Sequence, residues 1–228
     1  MANGHANIPH GFKLHRHPFG WIAQLLRESM AHGVIDSSAQ QEFSIYEYTP
    51  RSLRDARREF LIPVSQINEQ TILSLIMDIP HQCELAVNSR VYSFGQVYHI
   101  PMIDFGYKGG SPAESDQLME FCRYWNMGFY VYSSGRSYHG YGNRLLDPMN
   151  WIKFMGSLLL LNQPSGYKLI DERWVGHRIL GGYSSLRWSK NTSHYKKFPT
   201  FCGSISPDRV DISPSGEQHF LPPKSFIR

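Results

Sequence analysis

Apolar positions recur along this chain with two different periods. Trp21, Ile22, Leu25, Leu26 and Met30 share one face at helical spacing, so the pattern predicts a helix over Trp21–Val34, with Gly33 at its C-terminal end. Thr49-Pro50 has the form of a helix start, Thr as N-cap and Pro in the first turn, and predicts a second helix over Arg51–Phe60. Its Arg51, Arg54, Arg57 and Arg58 read as a solvated face or, more sharply, as a phosphate-contacting one. From residue 71 the texture changes. Thr71–Met77, Leu85–Tyr92 and Gln96–Phe105 are short and rich in β-branched and aromatic residues, which predicts strands. Ser111-Pro112-Ala113-Glu114 has the form of a capping box opening a helix to about Trp125, which Gly128 ends. Phe129–Ser133 returns to strand character, Ser137–Tyr141 continues the sheet after a turn at Gly135, and Pro148–Leu161 is helical. Lys168–Asp171 reads as a short strand or loop edge and Tyr183–Ser189 as a further strand. The residues to about Pro18 read as an extended arm and those after Pro199 as an irregular tail. The class is α+β, a mixed or antiparallel sheet with helices packed on it. An N-terminal arm and helical segment over 1–70 precede a core over 71–228.

Composition narrows the possibilities without choosing among them. Over 228 residues, 41% are hydrophobic and 14% aromatic, enough apolar surface for a core, so global disorder is not expected. The net charge of +4 is compatible with a polyanionic partner but does not require one. The longest apolar run, Leu158–Leu161, falls far short of the about 20 residues of a membrane helix. The first residues lack a cationic end followed by an apolar block, so neither a secretory signal nor a membrane partner is expected, and a cytoplasmic location is. Cys83, Cys122 and Cys202 are isolated, with no C-x-x-C, and read as reduced core thiols rather than zinc ligands. Asn191-Thr192-Ser193 has the form of a glycosylation acceptor, which carries no meaning without a secretory route.

Three clusters beside predicted strands carry candidate chemistry. The first is Ile103-Asp104-Phe105-Gly106, an acid at the end of an apolar strand. The second is the small-residue turn Ser133-Ser134-Gly135, which delivers Arg136, Ser137 and His139. The third is Ile170-Asp171-Glu172, followed by the basic strand that holds Arg187 and Lys190. Each is weak alone, but their order resembles the archaeo-eukaryotic primase superfamily, most closely its primase-polymerase branch. That family has an acid-x-acid motif, then Ser-x-His, then a hydrophobic-Asp followed by a basic strand. The resemblance covers roughly residues 71 to 198. It implies a primase-like catalytic core with an RRM-like mixed sheet flanked by helices.

The resemblance also implies a metal-dependent nucleotidyl transfer site acting on a nucleic-acid template, DNA ahead of RNA, with nucleoside triphosphates. Asp104 and Asp171 would be catalytic metal ligands for Mg²⁺ or Mn²⁺, with His139 beside them. Arg136, Ser137, His139, Arg187 and Lys190 would hold the nucleotide. The chemistry is consistent, because hard divalent ions take carboxylate oxygens and a triphosphate takes cations and hydrogen-bond donors. The zinc-binding module of many relatives is missing, so primer initiation would draw on a partner subunit. One departure matters: the family's second acid in the first motif is Gly106 here, and the next positions, Tyr107 and Lys108, supply no carboxylate. Glu172 is adjacent to Asp171, but neighbours on a strand point to opposite faces. Two readings therefore stand: an atypical nucleotidyltransferase, or a catalytically degenerate primase-fold protein that binds nucleotide or nucleic acid without polymerising.

Other motifs point elsewhere with less force. His15-Arg16-His17 is similar to the paired histidines of rolling-circle initiators, but Arg stands in the middle and Pro18 follows. Tyr130, Tyr132, Tyr138 and Tyr141 could stack bases if the sheet left them open, as in an RNA-binding module, yet they are also ordinary sheet residues. His177-Arg178 could reach the site or serve structure. Lys196-Lys197 reads as a solvated basic patch. No Gly-rich Walker loop is present.

Overall fold

The computed structural model describes residues 12–213 apart from 50, 51, 54, 107–111 and 167. In chain order the elements are α1 (Pro18–Ala31), β1 (Gln40–Glu47), β2 (Arg57–Pro63), α2 (Glu69–Met77), β3 (Cys83–Ser93), β4 (Gln96–His99) and β5 (Met102–Asp104). They continue with α3 (Pro112–Trp125), β6 (Phe129–Ser133), β7 (Tyr138–Gly142), α4 (Pro148–Leu158), α5 (Glu172–Gly181), β8 (Ser185–Arg187), β9 (Thr200–Ile205) and β10 (Val210–Ile212). The strands form two antiparallel sheets, so the antiparallel alternative is the one realised. Among the described residues no helix is long and apolar enough to cross a membrane.

The first sheet has the order β2-β1-β3-β4, and β8 pairs with the part of β3 that β4 leaves free. Alternation along its strands makes two unlike faces. Phe43, Leu85, Val87 and Val91 are buried with Ile22, Leu25 and Leu26 of α1 and Ile72 and Ile76 of α2. The opposite face is polar although much of it is buried. Glu42 accepts from Asn88 Nδ2 at 2.7 Å and pairs with Arg90 at 2.9 Å, and Asn88 Oδ1 accepts from Ser44 Oγ at 2.9 Å. These buried polar groups satisfy one another, as groups removed from water must.

The second sheet has the order β10-β9-β6-β7-β5. Ile103, Phe129 and Val131 pack under α3 and α4 with Phe121, Trp125 and Phe154. On the other face Tyr132 and Tyr141 join the first cluster, and the Trp21 ring lies 4.0 Å from that of Tyr130. This corrects the base-stacking expectation: Tyr132 and Tyr141 are fully buried, and Tyr130 is covered by α1.

Several expected elements differ. The helix expected over Arg51–Phe60 is not formed over its described residues; Arg57–Pro63 is a strand in which Phe60 pairs with Phe43, their rings 5.9 Å apart. Arg51 and Arg54 lie outside the described residues. Thr71–Met77 is helical rather than extended, because Asn68 Oδ1 accepts from Thr71 N at 3.0 Å and Ile72 and Ile76 fall on one face. The run Gln96–Phe105 divides at Ile100-Pro101 into β4 and β5, one in each sheet. Proline has no N–H for a ladder, and its carbonyl takes Gly142 N at 2.9 Å instead. The tail expected to be irregular contributes β9 and β10. The capping box at Ser111–Glu114 and most of the N-terminal arm lie outside the residues whose side chains are described.

Two histidines are built into this frame as neutral groups. His17 caps α1 by accepting from Phe19 N at 3.2 Å, which leaves Nε2 to donate to Trp188 O at 2.8 Å. Its structural use replaces any likeness to an initiator motif. His99 stacks 4.6 Å from Trp151 and meets Ser89 Oγ at 2.9 Å. Burial lowers each from the ordinary 6.5 to about 4. The stability this neutral burial supplies is present above 6.5 and lost as pH falls toward 4, at roughly 2–4 kcal/mol per histidine. We expect the wild-type melting temperature to fall more steeply between pH 6.5 and 4.5 than that of the His17→Gln and His99→Gln variants, measured by thermal denaturation across that range.

Candidate active site

A cleft of about 380 Å³ opens between the polar face of the first sheet and the β5–β7 edge of the second, with α5 along it. Asp104 ends β5, and its ladder partner on β7 is His139. That register puts the His139 Nε2 4.0 Å from the Asp104 carboxylate. Asp171 arrives from the other direction. The Phe105–Ile170 bridge and a 2.9 Å bond from Asp171 N to Asp104 O bring it beside Asp104, where its carboxylate caps α5 by accepting from Trp174 N at 2.9 Å. Two acids 67 positions apart by their numbers (171 − 104) thus meet at a single bridge.

The turn before β7 supplies Arg136 and Ser137. Ser137 O accepts from Ser134 N at 2.9 Å, and Gly135 sits at φ +114°, a conformation that glycine adopts without strain. Arg187 is 5% exposed and held by carbonyls, donating to Ser134 O at 2.8 Å, Lys197 O at 3.3 Å and Ser189 O, with its guanidinium 4.0 Å over Tyr195. Its Nη groups are already engaged, so it acts as a fixed positive charge more than a free donor. Burial, then the neighbouring Asp171 charge, raises Asp104 to about 8, against the opposing pull of Arg187 and Arg178. Burial and Arg187 lower His139 to about 3, so the imidazole is neutral, and its buried Nδ1 has no hydrogen-bond partner.

Six of the seven expected site residues, Asp104, Arg136, Ser137, His139, Asp171 and Arg187, line this one cleft. Lys190 does not; it lies exposed beyond β8. Glu172 is not a substitute acid, because it occupies the first turn of α5 and pairs with Lys168 outside the cleft. Among the described residues no group of three or more His, Cys, Asp or Glu is placed to hold a metal ion. Asp104 and Asp171 face each other as a pair of acids, whose mutual repulsion a cation would relieve.

The backbone approaches closely at Gly106, the position where the first motif lacks its second acid. A Cβ there would lie 3.0 Å from Lys168 O and 3.3 Å from Asp171 N, all backbone. Any side chain at 106 must push the 168–171 segment, and Asp171 with it. We expect Gly106→Ala to destabilise the fold by about 1–3 kcal/mol in chemical denaturation. Gly106→Asp should gain no nucleotide incorporation, because the added acid displaces the existing one.

Asp55, Tyr46, Arg173 and Arg178, none of them among the seven expected site residues, also line the cleft, as does Arg57, from strand β2 instead of the expected helix. Of these five, Tyr46 carries a signal in the sequence: Glu42, Ser44 and Tyr46 place polar groups at every second residue of β1, on one face. A family model described as archaeo-eukaryotic primase 1D-like matches residues 63–200, more than half of the chain. No curated protein and no solved structure matches it significantly.

Proposed function

The chain belongs to the archaeo-eukaryotic primase superfamily, and from that premise we propose that its cleft binds a nucleoside triphosphate and carries out divalent-metal-dependent nucleotidyl transfer on a nucleic-acid template, DNA in preference to RNA. The observation behind this reading is the convergence of Asp104, Ser137, His139 and Asp171 on one cleft that also holds Arg57, Arg136, Arg173, Arg178 and Arg187. Asp104 and Asp171 would hold Mg²⁺ or Mn²⁺, and the ion when bound supplies Lewis-acid activation of the attacking hydroxyl and neutralises phosphate charge. With two carboxylates in place of three, the donor set suits one tightly held ion better than two.

The chain's own groups do the remaining work. Arg136 at the rim and the Ser137 hydroxyl are donors for triphosphate oxygens. The neutral His139 has one ring nitrogen toward Asp104 and one unpartnered, and a phosphate oxygen would satisfy a donor there. Arg187, fixed by its carbonyls, supplies positive potential at the Asp104 end of the cleft without reorganising.

The second reading, a primase fold that binds nucleotide or nucleic acid without polymerising, is favoured by one observation: a Cβ at Gly106, where the family has its second acid, would lie only 3.0–3.3 Å from backbone atoms of the 168–171 segment. Labelled-nucleotide incorporation on primed and unprimed templates with Mn²⁺ or Mg²⁺ separates the two. Incorporation supports transfer. Nucleotide binding with no incorporation in either metal rejects it in favour of the second reading.

A further inference from the structure

The cleft holds a cationic group that the expected motifs do not include. Arg178 of α5 lines the cleft at 3% exposure. Its Nη2 donates to Asp55 Oδ2, while its Nε and Nη1 have no hydrogen-bond partner. Leaving donors of a buried guanidinium unsatisfied is costly, and native sites that do so commonly have a use for them. Arg57 donates through Nε to the same Asp55 oxygen at 2.8 Å. It is aimed there by Ser44 Oγ at 3.2 Å and Ser185 Oγ at 3.0 Å, with its guanidinium carbon 4.1 Å over the Tyr46 ring. The polar face of the first sheet therefore ends in a positioned arginine.

Two guanidiniums converging on one carboxylate oxygen is a poor match of donors to acceptors. Each arginine offers five N–H groups in a planar fork, and Asp55 Oδ2 engages one nitrogen of each. A phosphate group, with its larger set of peripheral oxygens, would engage both forks and take up the idle Nε and Nη1 of Arg178. Asp55 itself comes from the segment between β1 and β2, and 29% of its side chain is open to solvent, so it can leave without unpacking the core. We propose that Arg57 and Arg178 form a phosphate-binding clamp in the cleft, which Asp55 fills in the free protein as a displaceable carboxylate. The clamp deepens the nucleotide-site reading and rests on it for the phosphate sources considered: the triphosphate of a nucleotide, or the phosphodiester of a strand.

The test is binding by the full chain in EDTA, where transfer chemistry plays no part. The probes are a fluorescent oligo(dT) single strand and a fluorescent nucleoside triphosphate. Asp55→Asn keeps the side chain's size and removes the competing charge. It should tighten Kd about 3- to 10-fold for whichever probe uses the clamp. A gain for oligo(dT) alone assigns the clamp to the strand, a gain for the triphosphate alone to the nucleotide, and a gain for both to phosphate in general. The gain should vanish when Asp55→Asn is combined with Arg178→Gln. Because Arg178 is buried, Arg178→Lys, which keeps the charge and loses the fork, is measured alongside as a gentler replacement. Unchanged or weakened binding of both probes by Asp55→Asn overturns the clamp and makes Asp55 a structural brace. A chain that shows the gain but incorporates no nucleotide keeps the clamp and loses the transfer reading. One that incorporates without the gain does the reverse.

Discussion

Replacing Asp104 with alanine or asparagine is expected to lower metal-dependent incorporation by about 10³-fold or more while making the folded chain more stable. The two effects have one origin. Asp104 sits where burial and the Asp171 charge oppose its ionisation, so that its carboxyl is raised to about 8 from an ordinary 3.8. For an acid raised in the folded state, the favourable contribution is present below 3.8 and is lost as pH climbs through 8. Above pH 8 the fold carries an ionised group that its surroundings disfavour, and Asp104→Asn relieves this. The melting temperature of Asp104→Asn should exceed that of wild type by more at pH 9 than at pH 6. Incorporation by the same variant, assayed beside wild type, should be absent. A variant that lost activity together with stability would mark Asp104 as a structural acid instead.

The largest loss of stability is expected from Glu84→Ala, about 3–5 kcal/mol in denaturant titration. Glu84 is fully buried on β3, yet its carboxylate is saturated with donors. Asn191 N approaches at 3.0 Å, Thr192 N and Thr192 Oγ1 each at 2.8 Å, and Ser189 Oγ also donates to it. The Ser189 hydroxyl in turn accepts from Leu85 N at 2.8 Å. Alanine would strand these donors and release the 189–192 loop that leads to His194 and Tyr195 on the cleft wall. Limited proteolysis should then cut near this loop in Glu84→Ala and spare wild type. The Asn191-Thr192-Ser193 triplet, which resembles a modification signal in the sequence, owes its residues in part to this anchorage.

The order of short motifs was enough to bring Asp104, His139 and Asp171 to one edge of the cleft, because each is fixed by local strand or cap chemistry. Strand β6 and helices α1, α3 and α4 were legible for similar reasons, their apolar spacing and their Gly or Pro ends being clear. The opposite wall was hidden. Arg57 follows a Thr-Pro pair that imitates a helix start, and only its pairing with Tyr46 across β1 shows otherwise. Helix α5 escaped notice because Gly176 and Gly181 interrupt it and its apolar stripe is thin; its definition comes from the Asp171 cap and the left-handed Gly182. Arg178 becomes visible as a site residue only when tertiary packing sets it beside Arg57 and Asp55. Thr71–Met77 shows the complementary error, in which β-branched composition suggested a strand and a single capping asparagine decided for a helix.

Strand β1 lies between β2 and β3 in the first sheet, and β9 lies between β10 and β6 in the second. The span over which kinship is recognisable, 63–200, begins at the last residue of β2 and stops at the first residue of β9. A fragment trimmed to that span would bare one long edge of β3 and one of β6, two rows of unpaired amides and carbonyls ready to template sticky, intermolecular pairing. Ancestry and foldability thus have different borders in this protein. Whoever shortens the chain for expression or crystallisation should follow the hydrogen-bonded ladders, not the limits of resemblance.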